Sequence, residues 1–246
     1  MKQVKSYADS RLLNSCIYCG GPANTREHVP SKIFLDKPYP ENLPIVEACL
    51  KCNNGFSADE EYVATFFEVV CSGTTDINKI KRERIVRILE RTPLLKSRIQ
   101  NAIVTNSTTT TFNMEIDRVR RIIIKLAQGH VAFELSEHCR NIFPSVWWGD
   151  ISTMTRDKKD DFLSDTIIGS VSEIGSRHSR KIMIVESSIE NLNDGSIKQI
   201  SIALNSWIEV QKNRYEYITD VIDDYIRVKM LIGGYFACEV VWSAMR

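Results

Sequence analysis

The chain has 246 residues, 43% hydrophobic and 26% charged, close to globular averages, which excludes disordered, collagenous and coiled-coil classes and allows a small module plus a larger one. Lysine and arginine number 32 and aspartate and glutamate 31, so a net charge of +1 excludes a wholesale polycation but leaves room for a local basic surface. Apolar runs are short (Ile122, Ile123 and Ile124 meet Lys125 at once) and none approaches the roughly 18 residues needed to span a bilayer; residues 1–11 lack the apolar core of a secretory signal, so a soluble, cytoplasmic protein without a membrane partner is expected.

Seven cysteines, an odd number, argue against a disulfide framework in a reducing compartment. Their spacing says more. Cys16 and Cys19 form one C-x-x-C pair and Cys49 and Cys52 another, whereas Cys71, Cys139 and Cys238 stand alone. Two such pairs suit a tetrahedral four-thiolate site, with zinc the expected ion, because each short pair brings two sulfurs within reach of one metal. The stretch between the pairs must then house something else.

That stretch contains Glu27-His28-Val29-Pro30. Residues 25–29 read as a strand ended by Pro30, residues 36–42 as a loop, and residues 43–47 as a second strand, irregular at Pro44. Asn53 follows the last cysteine of the pairs. Ser57 and Glu60 have capping-box spacing ahead of a helix whose face is Val63, Phe66, Phe67 and Val70. The expected order is strand, loop, strand, helix.

Residues 16–62 resemble an HNH endonuclease of the ββα-metal type with a four-cysteine zinc site, on the strength of four cysteines at matching places, an acid–histidine pair between them, a proline two residues on, and an asparagine after the last cysteine. The resemblance covers about a fifth of the chain. It implies that His28 is the general base, that Glu27 and Asn53 hold a catalytic Mg²⁺ or Mn²⁺, and that Asn42 fixes the loop or holds the His28 ring. Glu27 stands where the family usually has Asp; Asn53 stands where the family often has His, an asparagine there being shared with the HNH nucleases of RNA-guided CRISPR enzymes; and Phe56 takes a position that is often basic. The implied reaction is phosphodiester hydrolysis of nucleic acid, DNA by precedent, in a restriction, mobile-element or anti-phage setting.

The chemistry suits these residues. An imidazole with an unperturbed pKa of about 6.5 can take a proton from water near neutrality. Mg²⁺ is a hard cation that prefers oxygen, which Glu27 and Asn53 offer, and a divalent ion stabilises charge at the phosphate and the departing oxygen. Neighbours on a strand point to opposite faces, so Glu27 and His28 need a strand end or bulge to serve one site. The four thiolates close their metal's coordination sphere, which makes that ion a staple for a module of some 50 residues; loss of Cys16 or Cys49 is expected to unfold it.

Further along, residues 77–99 read as a helix kinked near Pro93. Between residues 76 and 98 eight basic residues accompany three acids, and Arg84, Arg87 and Arg91 form a stripe suited equally to tracking phosphates or to the solvated face of an amphipathic helix. Residues 102–116 suggest a hairpin. Asp117 is expected to cap a helix over residues 118–128, with Val119, Ile122, Ile123 and Leu126 apolar, Arg118, Arg121 and Lys125 basic, and Gly129 as its stop. Residues 157–161 read as a charged loop. Strands are expected over residues 182–185, 200–204, 207–211, 215–218, 226–232 and 236–242, with the clearest alternation at Ile226, Val228, Met230 and Ile232. Trp147, Trp148, Trp207, Tyr215 and Tyr217 suit core packing more than base stacking. His130, His138 and His178 lack companions at ligand spacing.

The expected architecture is therefore α+β: an N-terminal zinc-stabilised ββα-metal module (residues 1–72) followed by a helix-plus-antiparallel-sheet domain (residues 73–246) for substrate placement, oligomerisation or regulation. The competing expectation is a non-catalytic zinc module binding nucleic acid or protein. A nuclease silent until a partner orders it is a third.

Overall fold

The computed structural model describes residues 12–105, 110–168, 182–190, 197–222 and 225–243. Residues 1–11 and His178 lie outside the described residues, and so does the part of the expected hairpin at residues 106–109.

The order expected at the N-terminus is present. Strand β1 (Thr25–His28) pairs antiparallel with β2 (Ile45–Ala48), matching Glu27 with Val46 and His28 with Ile45. Helix α1 (Leu50–Ser72) follows. It begins seven residues before the expected cap: Cys49 is its N-cap, the Asn53 N–H already bonds the Cys49 carbonyl at 3.0 Å, and Ser57 turns its hydroxyl back to the Asn53 carbonyl inside the helix.

The expected kinked helix is two helices, α2 (Glu83–Arg91) and α3 (Pro93–Ala102), because Pro93 occupies the first turn of α3, where its missing N–H costs nothing. A hairpin of β3 (Ile103–Thr105) and β4 (Thr110–Phe112) leads to α4 (Ile116–Leu135). Its N-cap is Glu115 rather than Asp117, and it runs through Gly129 to Ser136, which takes the left-handed conformation. Gly129 is a close approach, not a stop: a Cβ there would stand 3.1 Å from Val29 Cγ2. The charged run at residues 157–161 is helical too, within α5 (Arg156–Leu163), which buries Phe162 and leaves its charges in water.

The remaining chain forms β5 (Ser145–Asp150), β6 (Thr166–Ile168), β7 (Ile182–Glu190), β8 (Ile197–Asn205), β9 (Ile208–Gln211), β10 (Tyr215–Ile222), β11 (Tyr225–Ile232) and β12 (Phe236–Ser243). All the expected strands are present, and β5 and β6 are additional. A five-stranded antiparallel sheet has the order β5-β12-β11-β10-β9, and β6-β8-β7 form a second sheet. Helix α4 crosses β10, β11 and β12, with α1 alongside it.

The core lies between them. Val228, Met230 and Ile232 of β11, Cys238, Val240 and Trp242 of β12, and Val119, Ile122, Ile123 and Leu126 of α4 are all buried, each large apolar side chain worth about 1.5–3 kcal/mol. Tyr215 and Tyr217 belong to this core, not to a stacking surface. The same cluster takes in Ile33, Phe34, Leu35 and Leu43 from between β1 and β2. Asp36 of that segment is bound by Arg82 at 2.7 Å and by Arg214 at 2.5 Å, the latter from just before β10, so Arg82 is an inward-facing residue of the basic stretch.

Candidate functional site

The four sulfurs of Cys16, Cys19, Cys49 and Cys52 lie within 4.8 Å of one another. Cys19 Sγ and Cys49 Sγ are 3.7 Å apart and none of the four is in a disulfide. A regular tetrahedron with metal–sulfur bonds of about 2.3 Å has sulfurs about 3.8 Å apart, so the cluster fits a single zinc-sized ion. Backbone geometry builds it. In the first knuckle the Cys16 N–H bonds the Gly21 carbonyl and the Gly20 N–H bonds the Cys16 carbonyl, both at 2.8 Å, with Gly20 at φ 79°. At that φ an L side chain is strained, which is why glycine stands there. In the second knuckle the Cys52 N–H donates to Cys49 Sγ at 3.4 Å. That N–H, first of all, lowers the Cys49 pKa to about 7, whereas burial, first of all, pushes the Cys52 thiol up.

The knuckles hold the hairpin directly. The Ile17 N–H bonds the Glu47 carbonyl, the Asn24 N–H bonds the Ala48 carbonyl, and the Leu50 N–H at the start of α1 bonds Asn24 Oδ1 at 2.8 Å. A small apolar cluster of Leu12, Ile17, Val29, Val46 and Ala132 lies beneath them.

Glu27 points inward from β1 and is 8% exposed. Its Oε1 accepts from Lys125 Nζ of α4 at 2.9 Å and from Ser31 Oγ at 3.2 Å. Lys125 also donates to Glu60 Oε1 at 2.7 Å and to Ser31 Oγ, and Ser31 Oγ lies 2.5 Å from Glu60 Oε1. One ammonium thus joins two carboxylates and a hydroxyl, with its side chain only 1% exposed. Removing one member of such a buried ionic group typically costs about 3–5 kcal/mol. Among the described residues, none donates to Glu27 Oε2. The Tyr18 hydroxyl, whose pKa burial first and then Glu27 and Glu60 raise far above the usual value, adjoins this group.

Asn53, on the first turns of α1, donates Nδ2 to Thr25 Oγ1 at 3.2 Å, and among the described residues none donates to its Oδ1. Thr25 and Glu27, two residues apart, share one face of β1, so Asn53 and Glu27 approach the strand from the same side. His28 ends the strand, half-buried. Its Nδ1 is buried and closes no hydrogen bond of good geometry. Burial first, then the charge of Lys32, lowers the His28 pKa; the Pro44 carbonyl offsets this only in part, and Lys125 adds to the lowering. Asn42 is exposed at φ 57° and makes no hydrogen bond to the His28 ring. Phe56 packs edge-on to Tyr18, with Arg121 and Lys125, both of α4, 5.0 and 5.8 Å from its ring centre.

Of the arginine stripe, Arg87 pairs with Glu83 and Arg91 with Glu61, while among the described residues Arg84 meets only the Tyr39 hydroxyl at 3.3 Å. The basic face expected on α4 is a charged seam: Arg118 and Arg121 bind Asp59, and Lys125 binds Glu60. His130 is a core residue, stacked on Tyr217 at 3.7 Å and bonded to the Tyr215 hydroxyl. Sequence reasoning missed Ser31, Glu60 as a site residue, and Lys125. Glu60 and Lys125 lie 33 and 98 positions beyond Glu27, too far for local spacing to connect them.

No protein-family model matches the chain, and no curated protein or solved structure matches it either. Among the described residues, the four cysteines are the one cluster of histidine, cysteine and carboxylate groups close enough to hold a metal, and no helix is long and apolar enough to cross a membrane.

Proposed function

We propose that the chain is a metal-dependent HNH endonuclease that hydrolyses phosphodiester bonds of nucleic acid, with duplex DNA as its substrate. One observation carries the reading: among the described residues, the strand and helix tied together by the thiolate cluster each keep an oxygen without a hydrogen bond, Glu27 Oε2 and Asn53 Oδ1, and the strand ends on His28, an imidazole whose neutral form is favoured. A carboxylate and an amide oxygen are the donors that Mg²⁺ or Mn²⁺ accepts. Bound by Glu27 and Asn53, such an ion would supply charge stabilisation at the phosphate and the 3′ oxygen.

The chain's own residues do the rest. Neutral His28 takes a proton from the water that attacks phosphorus, and the phosphorus–3′-oxygen bond breaks. Asn42 holds the loop before β2, since asparagine is among the few residues that adopt left-handed backbone readily. Arg84, with no carboxylate partner, meets a backbone phosphate, aided by Arg87 and Arg91.

The alternative, a zinc-stabilised binding module, is favoured by one feature, the Lys125 ammonium already placed on Glu27. Zinc-loaded protein with Mg²⁺ or Mn²⁺ separates the two. Wild type is expected to nick or cut duplex DNA, and His28→Ala to lose about 10²–10⁴-fold in rate with zinc content and melting temperature retained. A gel shift without cutting by either protein would establish the binding module.

A further inference from the structure

We infer that Lys125, supplied by α4 from outside the ββα unit, is a positioning residue that fixes Glu27 for a divalent cation. The inference rests on the nuclease reading for the identity of the Glu27 ligand, and on the geometry for the rest.

An ammonium has three protons, and here three acceptors take them: Glu27 Oε1, Glu60 Oε1 and Ser31 Oγ. The group is saturated, so Lys125 has no alternative partner to swing towards. Ser31 Oγ lies against the same Glu27 oxygen. Among the described residues Glu27 is therefore held through Oε1, and its torsions are fixed while Oε2 is left without a partner. A carboxylate anchored by one oxygen presents the other in one direction, which is how outer residues orient metal ligands. The charge also fits. Two carboxylates and one ammonium sum to one negative charge, so the group attracts a cation without the mutual repulsion of two bare carboxylates.

A simple Lys125→Met variant would confound positioning with charge. The double variant Lys125→Met/Glu60→Gln removes one charge of each sign, keeps the net charge at the site, and releases Glu27 Oε1. The probe is Mn²⁺, titrated into zinc-loaded protein and followed by the electron paramagnetic resonance of the free ion. Wild type should bind Mn²⁺ in a manner that Glu27→Gln abolishes, and the double variant should bind it about 10- to 100-fold more weakly with zinc content retained.

A residue that only stabilised the fold would lower the melting temperature and leave the Mn²⁺ affinity alone. Unchanged or tighter binding in the double variant overturns the inference, and so does the absence of Glu27-dependent Mn²⁺ binding in wild type. If the double variant does not fold, Lys125→Arg keeps the charge but cannot repeat the ammonium's three-way geometry; weaker Mn²⁺ binding with zinc content retained supports the inference and unchanged binding overturns it. Positioned Mn²⁺ binding in a protein that cuts no nucleic acid would sink the nuclease reading and leave this inference standing.

Discussion

Cys16→Ser tests the thiolate cluster at its most buried member. Structural zinc sites in small domains contribute about 10–16 kcal/mol in apparent terms, so one ligand's quarter share is about 2.5–4 kcal/mol. The loss should be local. Ile33, Phe34, Leu35 and Leu43 are anchored in the main core, whereas the knuckles rest on the small cluster of Leu12, Ile17, Val29, Val46 and Ala132. This revises the expectation that losing one cysteine unfolds residues 1–72 as a whole. The informative amides are those of Cys16, Ile17, Ala23 and Asn24, which bond the carbonyls of Gly21, Glu47, Asn14 and Ala48. At about 1.4 kcal/mol per factor of ten, their hydrogen-exchange protection should fall roughly 60- to 700-fold, while amides of β11 and β12 keep theirs. Zinc content should drop from one per chain, and a chelator should reproduce the exchange pattern in wild type. Unchanged protection after chelation, or less than one zinc in purified wild type, would refute the metal-staple reasoning.

The Asp36 pKa is lowered from 3.8: burial raises it, but the hydrogen bonds and charges of Arg82 and Arg214 outweigh burial. Its contribution to stability is thus present above the unfolded value and lost as pH falls through the folded one. Asp36→Asn should melt below wild type at pH 6, and the gap should close in melts taken well below pH 3.8; a gap that persists there would point to packing instead. Gly129→Leu should cost about 1–3 kcal/mol by denaturant unfolding, since even a Cβ meets Val29 at 3.1 Å, and Gly129→Ala much less; equal stability of both with wild type would mean that α4 stands further from β1.

How much of this was legible in the sequence depended on the range of the interaction. The C-x-x-C spacing and the alternation of Val228, Met230 and Ile232 are local signals, and the thiolate cluster and β11 follow them. Failures came where a local signal met a tertiary cause. Ser57 and Glu60 have the spacing of a cap, but the helix is started earlier by Cys49, whose sulfur joins the cluster. Glu60 instead faces Lys125. Gly129 looks like a stop, yet α4 needs it to pass Val29. Lys125 follows Arg118 and Arg121 at helical spacing and so reads as part of a solvated basic face; only the placement of α1 beside α4 supplies the acids that bury it.

Those residues lie along a single stripe of α4. Arg118 and Arg121 hold Asp59, Lys125 holds Glu60 and Glu27, Gly129 meets Val29, and Ala132 joins the cluster beneath the knuckles. Spacings of three and four keep them on one side, while Val119, Ile122 and Leu126 enter the main core and His130 meets Tyr215 and Tyr217 of β10. The helix is therefore a common wall between the ββα unit and the large sheet. Without α4, Glu27 and Glu60 would stand as two carboxylates about one Ser31 hydroxyl without the Lys125 ammonium that joins them, and Asp59 would lose both its arginines. The Glu27 carboxylate is thus held by a residue far along the chain, so α4 ties the hairpin of β1 and β2 to the body of the protein.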